Sequence, residues 1–142
     1  MYKVIQGGCA KDFRGEIRFV NDLDLSMVKR FYIIKNADLD VVRGWRGHRI
    51  EKRWFFVVSG AIRFDIVRID DWTSPNRDLH VSTVVLDAND QKVLFIPEGF
   101  ATAFQSINNN SEVLVFSDYP IEHSSVDDYV FDVNYFLKRN SF

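Results

Sequence analysis

With 142 residues, 46% of them hydrophobic and 15% aromatic, the chain is long and apolar enough for a single packed domain over 1–142, which excludes a disordered chain. A net charge of −2 provides no basic field to gather nucleic acid. The single cysteine, Cys9, rules out an intrachain disulfide, and no apolar run reaches signal-peptide or membrane-span length, so the expected setting is reducing and cytoplasmic, with no membrane partner.

In chain order, YKVIQ at 2–6 reads as a short strand stopped by Gly7-Gly8, and DFRG at 12–15 as a turn. Residues 16–20 alternate like a strand, 22–26 form a polar connection, and VKRFYIIK at 28–35 is rich in β-formers. A loop at 36–40 leads into RGWRGHRIEKRWFFVVSG at 43–60, the densest stretch of the chain. There Arg43, Arg46, His48, Arg49, Glu51, Lys52 and Arg53 crowd beside Trp45, Trp54, Phe55 and Phe56. In an extended chain successive side chains point to opposite faces, so one face packs while the other lines a pocket. Arg46 and His48 then share a face, and Arg43, at odd spacing, joins them only if Gly44 introduces a bulge. Ser59-Gly60 is expected to fold 53–58 and 61–69 into a hairpin. The second of these is the clearest strand, with Ile62, Phe64 and Ile66 on one face and Arg63 and Asp65 on the other.

Beyond it lie a polar loop at 70–78 broken by Pro75, a strand at 79–86 and a DAND turn at 87–90. A strand at 92–96 stops at Pro97-Glu98-Gly99, and 100–107 fits strand or helix. NNNS at 108–111 is a turn and EVLVFS at 112–117 a strand. In the tail, Val126, Val130, Val133 and Leu137 fall at helix-like spacing, with a short strand and a helical turn as the alternative. About nine short strands and no long amphipathic helix define an antiparallel all-β sandwich or barrel, whose mouth suits a small ligand.

Several stretches carry a resemblance. VKRFYIIKNADLDVVRGWRGH at 28–48 resembles the front half of the nucleotide-sugar 3,4-ketoisomerases, the WxcM-like cupins, whose motif is roughly VKRxYxI…xxRGGHAH. DFRG resembles their D-x-R-G turn, and DDYVFDVNYFL at 127–137 their tail. VLDANDQKVLFIPEGFATAF at 85–104 is similar both to these enzymes and to the dTDP-4-dehydrorhamnose 3,5-epimerases, and SEVLVFSDY at 111–119 is similar to an epimerase strand and loop. The resemblance implies an RmlC-like cupin: an antiparallel jelly roll with a short helical or extended C-terminal tail, a homodimer, and a nucleotide-linked 4-keto-6-deoxy sugar as ligand. It also departs from both families. Arg46 stands at the first histidine of HAH, Thr102 at the epimerase histidine of GFAHGF, and Val115 at the epimerase tyrosine.

Moving a proton next to a ketone needs a base, a group that stabilises the enediolate oxygen, and an acid. His48 is the candidate base and Tyr32 the candidate acid. Arg43 and Arg46 are candidates for a pyrophosphate or oxyanion, with Glu51, Lys52 and Thr102 as further substrate contacts. His48 and Glu51 alone fall short of the three protein ligands a catalytic metal usually keeps, so no metal or other cofactor is expected. Two functions remain. One is an isomerase or epimerase of a dTDP-4-keto-6-deoxyhexose. The other is a non-catalytic cupin that binds a nucleotide sugar or a partner enzyme. The first requires a second titratable group facing His48.

Overall fold

Period-2 segments rich in Val, Ile and Phe each bury one face only against another sheet, and the chain solves this with two sheets. The computed structural model describes residues 1–139. The strands are β1 (Lys3–Gln6), β2 (Gly8–Asp12), β3 (Gly15–Phe19), β4 (Arg30–Lys35), β5 (Val42–His48), β6 (Arg53–Ser59), β7 (Ala61–Arg68), β8 (Ser82–Asp87), β9 (Lys92–Ile96), β10 (Phe100–Ser106), β11 (Glu112–Ser117) and β12 (Tyr129–Val130), with a 3-10 segment at Ile121–Asp127. One five-stranded sheet runs β1-β9-β6-β11-β4, the other β12-β5-β10-β7-β8, and β2-β3 form a separate hairpin. All pairings are antiparallel.

Between the two sheets lies one apolar core. Phe55, Val57, Leu94, Ile96, Val113 and Val115 come from the first sheet, and Ile62, Phe64, Ile66, Leu86 and Phe104 from the second. Phe64 bridges them, with ring centroids 5.1 Å from Phe55 and 5.3 Å from Phe104. A second core covers the outer face of the second sheet. There Trp45, Val67, Ala101 and Ala103 pack under Phe136, Phe131 and Tyr135 of the C-terminal tail. The tail is strapped down by paired backbone hydrogen bonds between Trp45 and Phe131 and by the Trp45 indole N–H, which donates to the Val133 carbonyl at 3.2 Å. Arg63 and Asp65 do point away from the core formed by Ile62, Phe64 and Ile66, yet they are buried too. Asp65 pairs with Arg63 at 3.0 Å and Arg139 at 2.8 Å, and accepts a hydrogen bond from Thr83 at 2.7 Å.

One expectation changes, and the two readings of the tail resolve to one. The segments 53–58 and 61–69 are not a hairpin: β6 pairs with β11 and β9, and β7 with β10 and β8. Gly60, at φ 72°, is instead the corner where the chain leaves one sheet for the other, closely backed by Ser111. The first strand does stop at Gln6, as expected, and Gly8 begins β2, paired with β3 across the expected turn at 12–15. The tail takes the second of its two readings: β12 follows the 3-10 segment, and tight turns follow β12, with the Tyr135 N–H donating to the Asp132 carbonyl and the Arg139 N–H to the Phe136 carbonyl, instead of a helix over 126–138.

The bulge at Gly44 is present. Thr102 pairs with Arg46 and Phe104 with Arg43, so Gly44 and Trp45 together oppose the single residue Ala103. Gly44 has φ 139°, and a Cβ there would stand 2.5 Å from the Ala103 Cα. Gly44→Ala should therefore destabilise the fold by roughly 2–4 kcal/mol, combining backbone strain with overpacking. Chemical denaturation reads this directly, and a change below about 0.5 kcal/mol, the ordinary surface range, would contradict it.

Candidate functional site

The bulge decides which side chains face inward. With one extra residue in β5, Arg43, Arg46 and His48 all line a single cavity of about 710 Å³. Strand β4 contributes Arg30 and Tyr32 by simple alternation, β6 contributes Arg53, and β10 contributes Thr102. Ile121, Ser124 and Ser125 of the 3-10 segment, with Asp128 just beyond it, form another wall. The cavity is thus lined by four arginines and few acidic groups, a setting for an anionic ligand.

His48 is 8% exposed, and its Nδ1 lies 2.6 Å from the backbone carbonyl of Asp127. A carbonyl only accepts, so Nδ1 carries the proton and Nε2 is left with its lone pair. Burial and the Arg53 charge lower its pKa from 6.5 to about 4, the Asp127 carbonyl and carboxylate opposing the shift. The imidazole is therefore neutral at neutral pH. Asp127 is itself 1% exposed. Its carboxylate accepts from the backbone N–H groups of Arg49 at 2.7 Å, Ile50 at 3.1 Å and Glu51 at 2.8 Å. One aspartate from the far end of the chain thus closes the loop between β5 and β6 and holds the histidine.

Glu51 is 3% exposed. Its carboxylate lies 3.3 Å from Arg30 Nη2, 3.8 Å from Arg53 Nε and 3.6 Å from His48 Nε2, with the Ser117 hydroxyl within hydrogen-bonding reach. Burial pushes its pKa up, opposed by Arg53 and Arg30. Arg53 donates to the Thr102 hydroxyl at 3.0 Å, reaches the Tyr32 hydroxyl, and stacks its guanidinium 5.1 Å from the Phe55 ring centre. Arg46 pairs with Asp128 at 3.1 Å and Arg43 with the Asn36 side chain at 2.7 Å.

The cavity therefore collects His48, Tyr32, Arg43, Arg46, Glu51 and Thr102. Lys52 lies outside it, its ammonium paired with Glu98 at 3.5 Å and Asp118 at 3.7 Å, because alternation turns it away from Glu51 and Arg53. Sequence reasoning passed over Arg30, Arg53 and Asp127. Strand alternation from Tyr32 and Glu51 would have found the two arginines, whereas nothing local marks Asp127. Among the described residues no three His, Cys, Asp or Glu side chains gather as a metal-binding group.

A depressed histidine leaves a pH signature. Between about 6.5 and 4 the unfolded chain protonates this residue while the native state does not, so stability falls as pH drops through that window. The loss relative to a His48→Asn variant should approach 3 kcal/mol, about 1.4 kcal/mol per pKa unit. The raised pKa of Glu51 acts in the opposite sense just above 4.5, and comparison with the variant offsets it. Parallel stability profiles for the two proteins between pH 7 and 4 would contradict the assignment.

Two facing antiparallel sheets with a charged cavity at their mouth define an RmlC-like cupin. The family described as FdtA, WxcM-like, C-terminal, matches residues 2–141, and the chain belongs to that family. No curated protein matches it. Among solved structures, it is similar to a mutant of the 3,4-ketoisomerase QdtA from Thermoanaerobacterium thermosaccharolyticum in complex with TDP-4-keto-6-deoxyglucose, at TM-score 0.69 and 16% identity, covering 89% of this chain and 85% of that one. The WlaRB TDP-quinovose 3,4-ketoisomerase from Campylobacter jejuni is similar at TM-score 0.68 and 17% identity, covering 97% and 98%. The dTDP-4-dehydrorhamnose 3,5-epimerase from Bacillus anthracis, with TDP and PPi bound, is similar at TM-score 0.74 and 18% identity, covering 94% and 79%. At these identities the likeness is one of fold.

Proposed function

We propose that the protein is an isomerase or epimerase of a dTDP-4-keto-6-deoxyhexose, acting by proton transfer at the carbon next to the ketone. The observation that carries this reading is the neutral His48, its Nε2 unprotonated in an arginine-lined cavity with Glu51 and Tyr32 close by. His48 is the base. Arg43 and Arg46 hold the diphosphate, for which their planar forks are suited. Tyr32 is the proton donor towards the carbonyl oxygen. It pairs in register with Val115, so a phenol stands one strand away from the position where the epimerase resemblance places a tyrosine. Arg53 and Thr102 orient that phenol and the developing oxyanion.

The test is incubation with TDP-4-keto-6-deoxyglucose in deuterated water, followed by NMR of the carbons flanking the ketone. Deuterium at either carbon is the expected result. Its absence, with binding intact across several 4-keto sugars, would favour a non-catalytic cupin that binds a nucleotide sugar or partner enzyme, in keeping with Arg46, Thr102 and Val115 standing where the related enzymes place acid–base groups.

The same proposal includes a homodimer and a cytoplasmic location. Phe31 and Ile33 lie on the outward face of edge strand β4, 65% and 58% exposed, beside Phe116 on the neighbouring strand. Apolar surface of that kind on a sheet face is a docking surface, here for a second copy of the chain. Light scattering at micromolar concentration should give twice the 16.6 kDa chain mass, and a monomer mass would exclude the dimer.

A further inference from the structure

Glu51 has no part in the functional reading beyond a substrate contact, yet it is among the most deeply buried carboxyl groups of the cavity. A carboxyl group at 3% exposure is costly to keep unless something uses or compensates its charge. The groups facing it come from four strands. Arg30 approaches from β4 at 3.3 Å, Arg53 from β6 at 3.8 Å and His48 from β5 at 3.6 Å, with the Ser117 hydroxyl from β11 in reach. Two arginines would satisfy it as a structural ion. The third neighbour is the observation that needs explaining, because it is the Nε2 of His48, the nitrogen left free when Nδ1 is tied to the Asp127 carbonyl. The backbone of Glu51 is fixed by the same Asp127, whose carboxylate accepts the Glu51 N–H at 2.8 Å. One aspartate thus sets both members of the pair.

We propose that Glu51 is the positioning residue and counter-ion of His48: it stabilises the imidazolium formed when Nε2 takes the carbon-bound proton. The inference rests on the proton-transfer reading given above. In the step, the C–H bond next to the ketone breaks and an Nε2–H bond forms. The C–H electron pair becomes the C=C bond of the enediolate, and the carbonyl oxygen takes the negative charge or the Tyr32 proton. The new imidazolium then has Glu51 Oε2 3.6 Å from Nε2 and the buried Asp127 carboxylate 3.9 Å from Nδ1, inside a cavity where Arg30, Arg46 and Arg53 oppose a cation. Return of the proton to the same carbon re-forms the original ketone. Return to the adjacent carbon moves the ketone: the former carbonyl oxygen keeps a proton as a hydroxyl, while the neighbouring hydroxyl gives its proton back to Tyr32 and becomes the new carbonyl. Either route leaves His48 neutral with no outside reactant consumed. A neutral imidazole among arginines is a weak base for this task, and Glu51 is the one carboxylate within 4 Å of its free nitrogen among the described residues.

The experiment uses solvent-deuterium exchange into TDP-4-keto-6-deoxyglucose across pH together with NMR titration of the His48 ring in the ligand-free protein. Glu51→Gln should lower the exchange rate roughly 10²-fold, the scale of one acid–base contribution, with KM changed by only a few-fold. Loss of the carboxylate should also shift the acid limb of the exchange profile and the ring midpoint of His48 to lower pH. Glu51→Asp should restore part of both. In the wild type the ring resonances should show a second inflection from Glu51, a readout that needs no variant to fold. A single inflection, or an unmoved His48 midpoint in a folded Glu51→Gln protein, overturns the proposal. So does unchanged exchange in that variant while the wild type exchanges. No exchange in the wild type, with the two-inflection coupling intact, removes the isomerase reading and with it the catalytic use of the pair, leaving Glu51 only as the charge partner of His48.

Discussion

His48→Asn should abolish incorporation of solvent deuterium next to the ketone, a fall of 10²-fold or more on the scale of a lost general base, while TDP binding stays within a few-fold. Asparagine suits the test because of how His48 is held. Its amide N–H can replace Nδ1–H towards the Asp127 carbonyl, so the loop keeps its anchor while the Nε2 lone pair disappears. The arginines that would bind the diphosphate keep their own partners, Arg43 on Asn36 and Arg46 on Asp128. Exchange at the wild-type rate in this variant would remove His48 from the mechanism. Loss of TDP binding along with exchange would mean that the histidine shapes the cavity and does not act on the sugar.

Asp127→Ala should destabilise the fold by roughly 3–5 kcal/mol, since three backbone N–H groups lose a charged acceptor, each such bond being worth about 1.5–3 kcal/mol and only partly replaceable by water. Glu51, whose N–H is one of the three, is 3% exposed, so its donor would be left without a partner. For a 142-residue chain that loss is a large share of total stability and corresponds to a melting temperature roughly 10 °C lower or more. Asp127→Asn should fall between, because its amide oxygen still accepts but without the charge. Thermal and chemical denaturation measure both. A cost below about 1 kcal/mol for the alanine variant would show that water replaces the carboxylate and that the clamp is not a main support of the loop.

Much of the barrel was legible because alternation is local. Residues 92–96 and 112–117 are strands with the expected bounds, and Ile62, Phe64 and Ile66 share the core face. The strand-or-helix stretch at 100–107 settles as β10, sandwiched between β5 and β7 where only extended backbone completes the ladder. The misread hairpin at Ser59-Gly60 has the same signal as a true one. Two strands and a glycine turn specify a reversal, and only the competition for neighbours decides whether the two strands pair or part into separate sheets. The outer face of β7 shows the limit again. Alternation puts Arg63 and Asp65 on the face opposite the core, but that both are buried, and that Arg139 from the far end of the chain pairs with Asp65, is not local information.

By itself the sequence determined that this chain is an antiparallel all-β domain of short strands and that its chemistry-bearing residues are concentrated in 43–53 and at Tyr32, because side-chain type and period-2 alternation are properties of neighbouring residues. Tertiary structure alone decided which of those residues meet. The bulge at Gly44 brought Arg43 to the same side as Arg46 and His48, and Lys52 was turned out of the cavity. Asp127, 78 residues from the N–H of Arg49, was brought in to fix the imidazole, and His48 Nε2 was set facing a buried glutamate. Those outcomes depend on desolvation and on hydrogen-bond partners supplied by distant strands, and neither quantity exists until the sheets have closed.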